Sequence, residues 1–140
     1  MLLLDTNVLS ELIKPKPEPA VLHWIAEQPP EQFCTSAITV AEMLRGVASL
    51  PTGKRKQVLG KAVTGMFNED FHQPILSFDQ HAAAHYAVWV QQRQHAGQPV
   101  SQSDAQIAGI ALSVNATLVT RNSKDFAGID ATLINPWEAG

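Results

Sequence analysis

The 140-residue sequence is poor in cysteine, in net charge and in long apolar runs, and each shortage excludes a class of protein. Its single cysteine, Cys34, rules out an internal disulfide framework and fits a reducing cytosol. Charged residues make up 16% and sum to −3, so the strong positive balance common in nucleic-acid-binding domains is missing. A polyanionic partner would need a local basic patch or bound cations to approach. No segment approaches the roughly 18–20 apolar residues of a membrane span. The opening LLL run is too short for a secretion signal and has no basic flank. Also missing are G-x-G-x-x-G and G-x-x-x-x-G-K-[ST], the glycine loops that cradle nucleotide phosphates. No adjacent nucleophile–base pair is present, which argues against covalent catalysis.

What is there is 45% hydrophobic, enough for one compact domain over residues 1–140 with its own core, soluble and cytoplasmic. The run MLLL suits a strand buried on both faces of a parallel sheet. NVLSELIK follows at helical spacing until Pro15, Pro17 and Pro19 stop it, and PAVLHWIAEQ restarts a helix. QFCTS, QPILSF, TLVT and ATLIN read as further short strands. AITVAEMLRGVASL, with Val40, Leu44 and Val47 on one stripe, and KRKQVLGKAVTGMF form a helical hairpin across Pro51-Thr-Gly. DQHAAAHYAVWVQQRQHAG is a long helix ending at Gly97, and SQSDAQIAGIALSVNA is a mostly buried one. Strands and helices alternating in this way give an α/β fold with a mainly parallel sheet.

Ligands of such sheets bind outside the carboxyl ends of the strands, and Asp5 stands at one. Glu42 interrupts an apolar helix, Asp104 opens another, and Asp125 follows TLVT with Asn122 just before it. Each has a plain structural explanation. Asp5 or Thr6 can cap a helix, and Glu42 can pair with Arg45 one turn on. Ser101-x-x-Asp104 matches a capping box, and Asp125 suits an Asx turn. Taken together they mean more. Two carboxylates about 4 Å apart repel by roughly 4 kcal/mol at an effective dielectric near 20. A converging set is chemically sensible mainly as a site for a divalent cation.

LLLDTNVLSE, SAITVAE, SDAQIAG and TLVTRNSKDF, in this order and at this spacing, resemble the bacterial PIN-domain family. The likeness is to the VapC-type toxins and their FitB-like subgroup, which the closing INPW also resembles. It extends over essentially the whole chain. It implies a three-layer α/β/α fold with a five-stranded sheet and acids gathered at one end. It also implies Mg2+-dependent ribonuclease activity, with Mn2+ as substitute, and inhibition by a cognate VapB-type antitoxin. Operator DNA would be reached only through the antitoxin, within a complex built on a toxin homodimer. Carried over by motif, Asp5 and Asp104 become the main metal ligands and Glu42 the third acid. The fourth catalytic position falls to Asp125, because Asn122 stands where some relatives carry an acid. Thr6, Asn7, Thr120 and Asn122 become supporting groups. The mechanism this suggests is in-line attack on an RNA phosphodiester by a metal-activated water, leaving a 3′-hydroxyl and a 5′-phosphate.

Two rival functions differ from this one. Haloacid-dehalogenase-like enzymes also place an aspartate after the first strand but need a second two residues later, where this chain has Asn7. A non-catalytic PIN module would serve only as dimeric partner of a DNA-binding antitoxin. Lys54, Arg55, Lys56 and Lys61 are either a solvated helix face or a track for RNA backbone. His81 and His85 have zinc-compatible spacing but lack the glutamate of H-E-x-x-H and a third ligand. Trp24, Trp89 and Trp137 read as packing or interface residues rather than base-stacking platforms.

Overall fold

In the computed structural model, which describes residues 1–138, a parallel sheet lies between two helical layers. Its strands are β1 (Leu2–Leu4), β2 (Phe33–Cys34), β3 (Thr117–Val119) and β4 (Leu133–Ile134), in the order β2-β1-β3-β4. Leu3 is paired with Cys34 on one side and Leu118 on the other. Alternate residues point to opposite faces, so Leu3 and Leu118 enter one core while Leu4 and Val119 enter the other.

The first core is closed by α5 (Gln80–His95) and α6 (Gln102–Ser113). Helix α6 is buried along Ala105 and Ile107–Ala111, as its small apolar residues imply. Gly109 permits this intimacy: a Cβ there would sit 2.5 Å from the Ala82 carbonyl oxygen and 2.9 Å from the Tyr86 Cβ. The second core is closed by α1 (Thr6–Leu12), α2 (Pro19–Glu27), α3 (Ala37–Ala48) and α4 (Lys54–Glu69). Helices α3 and α4 form the expected hairpin, joined through Met43, Val47, Leu59, Val63 and Met66. The buried stripe of α3 nevertheless runs through Thr39 and Met43, leaving Leu44 exposed. Cys34 is a fully buried core residue, its thiol pushed up to about 11 by desolvation.

The expected fifth strand, QPILSF, is not a strand. It contributes a single parallel bridge between Leu76 and Ser36. The Leu76 N–H donates to the Thr35 carbonyl at 2.9 Å, and its own carbonyl accepts from the Ala37 N–H at 2.8 Å. Pro74 has no N–H to continue a ladder on its side, and Ala37 already starts α3 on the other. Among the described residues the sheet therefore has four strands and a one-residue edge.

Candidate active site

The chain leaves β1 for β2 on one side of the sheet and later enters β3 on the other. The gap between the carboxyl ends of β1 and β3 is thus the topological switch point, where a crevice opens in sheets of this kind. Asp5 and Thr120 stand at these two ends. Thr120 donates its hydroxyl to Asp5 Oδ2 at 2.8 Å, bridging the switch point, and the Asp5 N–H donates to the Val119 carbonyl at 2.9 Å.

Asp5 also caps α1, its Oδ1 accepting from the Thr6 N–H at 2.8 Å. The capping explanation is thus correct, but incomplete. A solvent-facing cap would keep an ordinary carboxyl, whereas Asp5 is 3% exposed and its carboxyl is raised from 3.8 to about 6. Desolvation is the main cause, opposed by Thr120 and the Thr6 N–H and reinforced by the charges of Asp104 and Glu42.

The neighbours of Asp5 on α1 hold the site together. The Thr6 hydroxyl lies 2.7 Å from Glu42 Oε1, to which it donates, and 3.1 Å from Thr39 Oγ1. It thereby aims an exposed glutamate of α3 toward the end of β1. Asn7 donates to Thr120 Oγ1 at 3.3 Å and accepts the Arg121 N–H at 3.2 Å, fixing the loop after β3. The Asn122 N–H donates to Thr120 Oγ1 at 3.1 Å. Asp104 sits in the first turn of α6, its N–H capped by the Ser101 hydroxyl at 3.2 Å. Its carboxyl is raised mainly by desolvation; Ser101 opposes this, and Asp125 and Glu42 add repulsion.

An open cleft of about 410 Å3 lies over this end of the sheet, lined by Asp5, Thr6, Asn7, Glu42, Asp104 and Asn122 among others. Asp125 does not line it. It lies exposed on the 3-10 turn Ser123–Phe126 and reaches the site only through its repulsion of Asp104. Five lining residues, Ser10, Glu11, Lys14, Arg121 and Trp137, are additions to the set chosen from sequence. Glu11 is buried, accepting from Lys14 Nζ at 2.9 Å and from the Glu18 N–H at 3.0 Å, and these donors hold its carboxyl below the usual range. Trp137 belongs to the INPW run: Asn135 accepts its N–H at 3.0 Å and donates to the Arg121 carbonyl at 3.2 Å.

None of Asp5, Glu42 and Asp104 makes an ion pair among the described residues. Nor do any three His, Cys, Asp or Glu side chains there converge tightly enough to form a ready-made metal cage. Separate carboxylates around an open cleft suit a hydrated hard cation, because Mg2+ keeps several waters and takes only one or two protein carboxylates.

The family profile described as PIN domain matches residues 2–131. This chain belongs to the PIN-domain family. Among its relatives is the VapC ribonuclease Y4jK of Sinorhizobium fredii, 38% identical over 138 residues and covering 99% of both chains. Another is the toxin FitB of Neisseria gonorrhoeae, 38% identical over 137 residues, with 98% of this chain and 99% of that one covered. The solved structure of FitAB bound to an IR36 DNA fragment superposes with a TM-score of 0.92 at 38% identity, covering 100% and 98% of the two chains. This PIN domain therefore shares both sequence and fold with those proteins along nearly its whole length.

Proposed function

We propose that this PIN domain is the toxin of a type II toxin–antitoxin pair and acts as a metal-dependent endoribonuclease. The observation that carries this reading is the buried Asp5, without an ion-pair partner among the described residues, sharing one cleft with Glu42 and Asp104. A fold keeps such mutual repulsion where an ion or substrate offsets it. The relatives named for ribonuclease or toxin activity support it.

Asp5 and Asp104 would hold the cation, Mg2+ or in its place Mn2+. When bound, the ion supplies Lewis-acid polarisation of a phosphodiester and a more acidic coordinated water. Thr120 and the Thr6 N–H fix both oxygens of Asp5, with Asn7 Nδ2 a longer donor to Oδ2 at 3.5 Å. Glu42, oriented by Thr6, stands where it can accept a proton from an attacking water. Asn7 and Asn122 shape the loop that borders the scissile group. In-line attack would leave a 3′-hydroxyl and a 5′-phosphate. Asp125 has a long-range electrostatic part in this scheme rather than a ligand's.

The antitoxin has a separate place to dock. A groove of about 810 Å3 between α1, α3 and α4 is lined by Ile13, Met43, Val47, Val58 and Leu59 and rimmed by Lys14, Lys54 and Arg55. It meets the acid cleft at Thr6 and Glu42. A VapB-type segment seated there would block substrate and carry the toxin, as a homodimer, to operator DNA. The FitAB complex bound to a DNA fragment supports an antitoxin partner that brings the toxin to DNA.

Asp5→Asn is expected to abolish RNA cleavage and growth arrest, and Asp104→Asn to lose saturable Mn2+ binding. Cleavage by Asp5→Asn at the wild-type rate refutes the mechanism. Absence of Mn2+ binding to the wild type leaves the non-catalytic module as the better account.

A further inference from the structure

The cleft that would receive RNA is lined by four acids and only two cations, so attraction for the backbone must be concentrated in few groups. Lys14 is committed to Glu11. Arg121 is not: it makes no ion pair among the described residues. Its guanidinium instead lies over the Trp137 ring, 4.9 Å from the centroid. The main chain behind it is held on both sides, its N–H by Asn7 and its carbonyl by Asn135. Asn135 also orients Trp137. A charged side chain on the surface normally samples many rotamers, and ordering it costs conformational entropy. Here the aromatic shelf and the anchored loop prepare it in advance. The guanidinium fork matches two oxygens of a phosphate, and stacking on an indole leaves its edge free to donate.

We infer that Arg121, held over the Trp137 ring, is the residue that grips the RNA backbone beside the scissile phosphodiester, and that INPW serves this loop as its shelf. The inference rests on the ribonuclease reading above. It concerns positioning: Arg121 fixes the strand, and the acids carry the chemistry.

The test uses the full chain and a fluorescently labelled, mixed-sequence single-stranded RNA. Binding is measured in the Asp104→Asn background without metal, across a salt series. Arg121→Gln is expected to weaken binding and to reduce the slope of log affinity against log salt by about 0.7, the value for one phosphate on a single strand. Arg121→Lys should restore the slope but not all of the affinity, since Lys lacks the fork. Trp137→Leu should keep the slope while weakening binding. In the otherwise wild-type enzyme Arg121→Gln should raise KM more than it lowers kcat, with Mn2+ binding unchanged. Arg45→Gln, which removes a charge outside the cleft, is the control and should leave the slope alone. If the wild type cuts no RNA, the ribonuclease reading falls and this inference with it. If it cuts RNA and Arg121→Gln matches it in KM and salt slope, or matches Arg45→Gln, this inference alone is overturned.

Discussion

Replacing Asp5 by Asn in the metal-free protein should make it more stable at neutral pH, although it removes a ligand of the proposed cation site. Folding raises the Asp5 carboxyl from 3.8 to about 6, so the folded state holds a proton that the unfolded chain releases earlier. Stability contributed by that proton is fully present below about pH 4 and is lost as pH rises through about 6. The whole span corresponds to about 3 kcal/mol. Asn cannot ionise and avoids that loss. It keeps the acceptor for the Thr6 N–H, but its amide NH2 replaces the oxygen that Thr120 donates to. Thr120 Oγ1 already receives Asn7 and the Asn122 N–H, so one hydrogen bond, about 1–1.5 kcal/mol, is forfeited. The net gain is about 1.5 kcal/mol at pH 7.5, roughly 5 °C in Tm for a chain of this size. At pH 4.5 most of the ionisation penalty is gone, and the two proteins should be about equal or the variant slightly worse. Urea denaturation in EDTA at both pH values, followed by tryptophan fluorescence, measures the difference. A variant destabilised equally at pH 4.5 and 7.5 would show that Asp5 is a structural cap and carries no stored repulsion.

Saturating Mn2+ should reverse the order at pH 7.5, since a ligand at 100 times its Kd stabilises the wild type by about 2.7 kcal/mol; differential scanning calorimetry with and without metal reads this. Mn2+ affinity should itself rise as pH increases through about 6, because a protonated Asp5 must give up its proton to become a ligand, and isothermal titration at pH 5 and 7.5 checks the sign. Thr120→Val removes a donor that favours the charged form of Asp5, so the pH at which metal binds should move upward, with folding weakened by about 1 kcal/mol for the hydrogen bond lost, since Asn7 Nδ2 remains 3.5 Å from Asp5 Oδ2. Gly109→Ala should destabilise by about 1–3 kcal/mol despite better helix propensity, because the new methyl meets a backbone carbonyl rather than a yielding side chain.

The parts of the fold readable from sequence are those where one local rule dominates. β1 is a short apolar run at both levels, and α6 announces its burial by its small residues. QPILSF failed because an apolar run says nothing of whether neighbouring backbone is available to pair, and Pro74 and the start of α3 leave room for one bridge. Leu44 failed because four-residue spacing fits several helix faces, and only the approach of α4 selects Met43. At the site, motif order brought Asp5, Glu42 and Asp104 to one cleft. Asp125 lay one short turn too far, a difference decided by the path of the loop after β3 rather than by residue type. Arg121 and Trp137 went unchosen because an exposed arginine and a late tryptophan 16 positions apart gain meaning only once Asn135 ties their segments together.

Glu42 reaches the cleft from the helical layer on one face of the sheet, Asp104 from the layer on the other, and Asp5 from the sheet itself. The spacing of the three acids is therefore set by the thickness of both cores at once. A methyl lost or gained deep in either one, too mild to unfold the chain, should therefore alter the gap between carboxylates. Distant repacking should register in ion affinity first, which makes the cleft a gauge of how tightly the whole sandwich is pressed together.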